Sequence, residues 1–85
     1  MKTVACEIIT PEKVFLKDEA EFIVAPGASG ELGILPGHAQ LLSQLGAGTV
    51  RLSKNAETKS YSIPGGFIHV MPAVVKIFTS KVTAD

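Results

Sequence analysis

Apolar and polar positions along this chain alternate with a period of two. Val4, Cys6 and Ile8 alternate with Ala5, Glu7 and Ile9, which predicts a half-buried strand ended by Thr10-Pro11-Glu12. Val14-Phe15-Leu16 and residues 20–25 predict two more strands around a charged turn, Lys17-Asp18-Glu19, with Phe22 and Val24 on one face. Leu41, Leu42 and Leu45 fall at helical spacing and predict a helical turn over 40–45, too short to stand alone. Gly46-Ala47-Gly48 breaks the chain. Residues 49–53 resume a strand with Val50 and Leu52 on one side. Lys54-Asn55-Ala56-Glu57 reads as the polar tip of a hairpin, and residues 60–63 return with Tyr61 and Ile63 facing in. Residues 67–71 and 74–79 form a last pair joined at Pro72-Ala73.

Strands every ~8–12 residues with turn signals between them predict an all-β sandwich or barrel. The 85 residues make one domain, 1–85, with no repeat, linker or low-complexity tract. A domain this small buries only about 60% of its unfolded surface and is marginal alone. Residues 82–85 are expected to fray.

Cys6 is the one cysteine, so the chain has no internal disulfide, and with only His38 and His69 beside it there is no zinc site. Its place on the face of Val4 and Ile8 predicts a small buried hydrophobe. Met1-Lys2-Thr3 leads straight into the first strand without a signal-peptide pattern. No apolar run approaches the ~20 residues of a spanning helix.

Lys plus Arg total 8 and Asp plus Glu total 8, a formal net charge of zero. That argues against nucleic acid, which asks for a basic footprint. A near-zero net charge also favours association.

The most informative segment is 30–39, Gly30-Glu31-Leu32-Gly33-Ile34-Leu35-Pro36-Gly37-His38-Ala39. Three glycines and a proline specify a loop of fixed shape, because glycine admits positive φ and proline sets φ near the turn value. Glu31 and His38 offer an acid and a base, the alternative being a small stand-alone β-sandwich enzyme that uses both. Polar loop contacts are the better reading of the two residues. The glycines do not form a phosphate loop, since Gly37 is followed by His38-Ala39 and not by Lys-Ser/Thr. No Gly-x-Ser-x-Gly elbow is present either. His69, between Ile68 and Val70, is expected on the surface. Gly65-Gly66 before Phe67 marks a tight turn or bulge. Leu41 and Leu42, with Leu45, are either an exposed apolar patch or a plug at one end of the sandwich.

With Thr10-Pro11-Glu12, Val24-Ala25-Pro26-Gly27, Leu41-Leu42 and Gly65-Gly66-Phe67 around it, the 30–39 segment closely resembles the sandwich domain of the epsilon subunit of rotary ATP synthases, called delta in mitochondria. The resemblance runs along essentially the whole chain and implies a flattened sandwich of two roughly five-stranded sheets. It implies a non-catalytic central-stalk subunit that packs on gamma and touches the c-ring, coupling ion-driven rotation to ATP synthesis. It places Glu31 on the ring-facing loop and His38 at the ring or gamma. Gly30, Gly33, Leu41 and Leu42 become possible interface positions. No metal or other cofactor is expected, and membrane association is expected only through the complex, at the cytoplasmic face of a bacterial inner membrane. Most family members continue into a two-helix domain that can inhibit hydrolysis and in some relatives binds ATP. Here the sequence stops at Asp85, just past the last strand, so neither inhibition nor nucleotide binding is carried over, and a short form of the subunit is the expectation.

Overall fold

The computed structural model describes residues 2–85, and among these there are ten strands and no helix. They are β1 (Val4–Ile9), β2 (Val14–Ala20), β3 (Phe22–Gly27), β4 (Gly30–Ile34), β5 (Leu41–Leu45), β6 (Gly48–Lys54), β7 (Glu57–Ile63), β8 (Gly66–Val70), β9 (Val74–Phe78) and β10 (Thr83–Ala84).

The hydrogen-bonded order is β10-β7-β6-β3-β5-β8-β9-β1-β2, with β4 on β3. This path curls into the two five-stranded layers of a sandwich, β5-β8-β9-β1-β2 and β10-β7-β6-β3-β4. The layers join where Gly27 of β3 meets Leu45 of β5. Two backbone bonds flank that bridge: Ala28 N–H donates to the Gln44 carbonyl at 3.0 Å, and Gly46 N–H to the Pro26 carbonyl at 2.8 Å. All pairs are antiparallel except β1 with β9.

The core is the inward half of the alternation. Val4, Cys6 and Ile8 are buried, as are Val50 and Leu52, Tyr61 and Ile63, Ile68 and Val70, and Val75 and Ile77. Each buried aliphatic side chain contributes about 1.5–3 kcal/mol by leaving water. In β3 the inward pair is Ile23 and Ala25, while Phe22 and Val24 share the outer face.

Three expectations are corrected. Lys17-Asp18-Glu19 is not a turn but the second half of β2, and Ala20 ends that strand. The chain turns at Glu21, whose N–H donates to the Ser53 carbonyl at 2.8 Å. Residues 41–45 form a strand and not a helical turn, because β8 supplies a full antiparallel partner from Leu41↔Val70 to Leu45↔Gly66. That ladder outweighs the local leucine spacing. Residues 83–84 do not fray: they pair with Ser62 and Tyr61 of β7. Asp85 secures them, its N–H donating to the Ser60 carbonyl at 3.0 Å and its carboxylate accepting from Ser62 Oγ at 2.9 Å.

Asp18 lies on the core-facing side of β2, opposite Cys6. An inward charge on an edge strand blocks pairing with another chain. Lys54 and Lys59 of the other layer meet its carboxylate at 3.6 and 3.5 Å. Its pKa lies below the ordinary value of 3.8, first because Glu19 N–H donates to the carboxylate at 2.8 Å and then because of the two lysines. Nearby, the ring of Phe15 meets Tyr61 edge-on at 6.2 Å. Together these contacts close the open side of the sandwich.

Candidate functional site

Glu31 is held by the β3–β4 hairpin. Gly27 pairs with Gly30 across a tip of two residues, Ala28 and Ser29. A Cβ at Gly27 would collide with the Gly30 carbonyl, so only glycine fits there. With both flanks of the Gly27–Leu45 bridge hydrogen-bonded to β5, the hairpin tip is fixed on two sides. Glu31 follows as the second residue of β4, opposite Pro26. Its side chain is 66% exposed, and its Oε2 lies 3.5 Å from Nη1 of Arg51 on β6. A groove of about 320 Å³ beside it is lined by Ser29, Glu31, Ser43 and Gln44.

His38 sits beyond the far end of β4. Residues 35–38 make a type II turn: His38 N–H donates to the Leu35 carbonyl at 3.1 Å, Pro36 is the second residue, and Gly37 has φ +80°. The imidazole is exposed, and Nδ1 lies 2.8 Å from the Ala39 carbonyl. A carbonyl only accepts, so Nδ1 carries the proton in this contact.

The segment 30–39 is therefore not one loop. Its first half is strand β4 and its second a turn leading to β5. Among the described residues no hydrogen bond or ion pair joins Glu31 to His38: the acid pairs with Arg51 and the imidazole with Ala39. The acid–base pair on which the enzyme alternative depended does not form.

The glycines of the segment differ in role. Gly30 has φ +140° and open space around it, whereas a Cβ at Gly33 would come within 3.2 Å of the Phe22 ring that lies over it. Leu41 packs partly on the core, while Leu42 is 70% exposed. The leucines thus divide, Leu45 filling the core and Leu42 standing outside.

A larger surface comes from register. Phe67 of β8 pairs with Phe78 of β9, Phe78 with Ile9 of β1, and Ile9 with Val14 of β2. This is an apolar row across four strands on the outer face, with Phe67, Phe78 and Val14 exposed. The next row reads Leu42, His69, Lys76, Glu7, Lys17. His69 is half-buried in that outer row. The apolar row carries a faint sequence signal: Phe67 and Phe78 fall out of phase with the buried Ile68–Val70 and Val75–Ile77 pairs. Its contiguity comes from pairing between strands far apart in sequence. No group of three or more His, Cys, Asp or Glu side chains among the described residues is placed to hold a metal ion. No helix among them is long and apolar enough to cross a membrane.

Residues 3–85 match the family model described as the ATP synthase, delta/epsilon chain, beta-sandwich domain. An ATP synthase epsilon chain of Desulforamulus reducens is 48% identical over 69 residues, which are 81% of this chain and 52% of that protein. One from Chromohalobacter salexigens is 40% identical over 84 residues, 98% of this chain and 60% of that protein. The chain thus spans about half to three-fifths of the length of these relatives. Among solved structures, a chain in the Euglena gracilis mitochondrial ATP synthase, described as OSCP/F1/c-ring, superposes with a TM-score of 0.89 at 26% identity, over 96% of this chain and 53% of that one. The curled ten-stranded sandwich, its β3–β4 hairpin and the match along residues 3–85 lead to one conclusion: this chain belongs to the delta/epsilon-chain β-sandwich family of ATP synthase.

Proposed function

We propose that this domain is a non-catalytic part of the central stalk of a rotary ATP synthase, joining the gamma subunit to the c-ring. In this role it transmits ion-driven rotation toward ATP synthesis and needs no cofactor or nucleotide of its own. It sits at the cytoplasmic face of a bacterial inner membrane through the complex alone.

The observation that carries this proposal is the pair of outward surfaces on one closed sandwich. The row Phe67–Phe78–Ile9–Val14 is apolar and contiguous, a composition that marks protein interfaces. We assign it, with Leu42 beside it, to gamma. The second surface is polar and sits on a two-sided hydrogen-bonded hairpin. We assign its Glu31 to the c-ring, with Gly30 and Gly33 shaping the approach, and His38 to the ring or to gamma. A joint that carries torque must not yield, and β strands tied by long-range ladders suit it better than a loop. A charged side chain held on a rigid element also steers and registers a partner.

Affinity capture with purified gamma tests the apolar assignment. The full chain is retained by gamma, and Phe67→Asp with Phe78→Asp abolishes retention while the β-sheet circular dichroism is kept. Equal retention of a folded double variant would refute the assignment.

A further inference from the structure

Glu31 and Arg51 stand on strands that flank β3. Val24 of β3 is opposite Arg51 on one side and Gly33 of β4 on the other, while Glu31 is opposite Pro26. Their backbones are thus two inter-strand spacings across and two residues along the strand apart, on the order of 12 Å. The 3.5 Å ion pair therefore bridges the outer face of β3, with both long side chains spanning the gap. On that face the pair runs past Val24 and Pro26, while the Phe22 ring covers Gly33.

The pair engages Oε2 and leaves Oε1 without a bonded partner among the described residues. The Glu31 and Arg51 side chains are 66% and 47% exposed. An ion pair at one oxygen restricts the rotamers open to a glutamate and leaves the other oxygen available to a partner. A long, exposed acid otherwise gives up rotamer entropy on docking.

We propose that Arg51 is a positioning residue for Glu31, fixing the carboxylate in its docking orientation before the partner arrives. This rests on the placement of Glu31 at the c-ring. Arg51 acts through Glu31 and makes no independent contact with the partner.

The test is a double-mutant cycle on association of the full chain with the gamma–c-ring assembly of its own ATP synthase. The variants are Glu31→Ala, Arg51→Ala and the double. Exposed ion pairs are modest, so Arg51→Ala is expected to weaken association by about threefold when Glu31 is present. It has no effect in the Glu31→Ala background. Arg51→Gln, which keeps much of the stem, reproduces the loss. An equal loss in both backgrounds overturns the proposal, as does wild-type affinity of Arg51→Ala or Arg51→Gln. Wild-type affinity of Glu31→Ala alone overturns the ring assignment itself, and the two failures are thereby told apart.

Discussion

Gly66 lies directly against the carbonyl of Phe78, with no space between them for a Cβ. Its φ of +140° is itself closed to other residues. Thr79 fixes the neighbouring turn by donating from Oγ1 to the Gly65 carbonyl at 2.6 Å. Gly66→Ala therefore forces β8 away from β9 at the edge of the apolar row. The expected cost is about 3 kcal/mol or more, a large part of the stability of so small a domain. Urea unfolding followed by circular dichroism measures it, and a cost below about 1 kcal/mol would refute this account of the glycine.

The β6–β7 hairpin carries strain that can be relieved. Asn55 and Ala56 have φ of +53° and +63°, the pattern of a type I′ turn, and alanine is poorly suited to it. Left-handed φ costs an alanine about 1–2 kcal/mol. Ala56→Gly is expected to stabilise the domain by about 0.5–1 kcal/mol, net of the glycine entropy cost. At this size the melting temperature rises by about 2–8 °C. An unchanged or lower melting temperature contradicts the expectation.

Cys6 is fully buried, and its thiol pKa is pushed from 9.0 up to about 12 by burial, with Asp18 and Glu7 adding to the shift. Two outcomes follow. A thiol reagent at pH 8 labels Cys6 only at the rate at which the protein opens. The folded pKa exceeds the unfolded one, so the contribution to stability is complete below pH 9.0 and is lost as pH rises towards about 12. Its slope there approaches about 1.4 kcal/mol per pH unit. The difference in slope between wild type and Cys6→Ala isolates this contribution. Identical slopes, or labelling of the native state as fast as a free thiol, would argue the reverse.

Asp18 works in the opposite direction. Its folded pKa is depressed below 3.8, by the Glu19 N–H first and by Lys54 and Lys59 after it. Its contribution is therefore present above pH 3.8 and is lost as pH falls through the folded value. Asp18→Asn is expected to cost about 1 kcal/mol at pH 7, in line with two partly exposed pairs. The difference from wild type should vanish in strong acid, as read by urea titrations at several pH values. A cost that persists unchanged at the lowest pH would locate the effect elsewhere.

Much of this fold can be read from alternation. Val4-Cys6-Ile8, Val50-Leu52 and Tyr61-Ile63 face inward as the period of two requires, and the hairpin tip at residues 54–57 is where its polar residues put it. The misses share one cause, which is pairing over long sequence separations. Lys17-Asp18-Glu19 has the composition of a turn, yet Asp18 is accommodated in β2 because lysines from β6 and β7 reach it. Leu41 and Leu42 mimic a helix until β8 supplies a ladder. At the candidate site, Glu31 is identifiable from its glycine-framed segment. Its ion pair with Arg51 and the row Phe67–Phe78–Ile9–Val14 depend on register between distant strands.

The proposed placement of Glu31 at the c-ring is open to a proximity measurement. In a Cys6→Ala background, Glu31→Cys is assembled into the complete ATP synthase and treated with a short thiol-reactive photo-crosslinker. The expected result is a product between this chain and the c subunit, dependent on the cysteine at position 31. A product with another subunit in place of c, or none from a fully assembled enzyme, would contradict it.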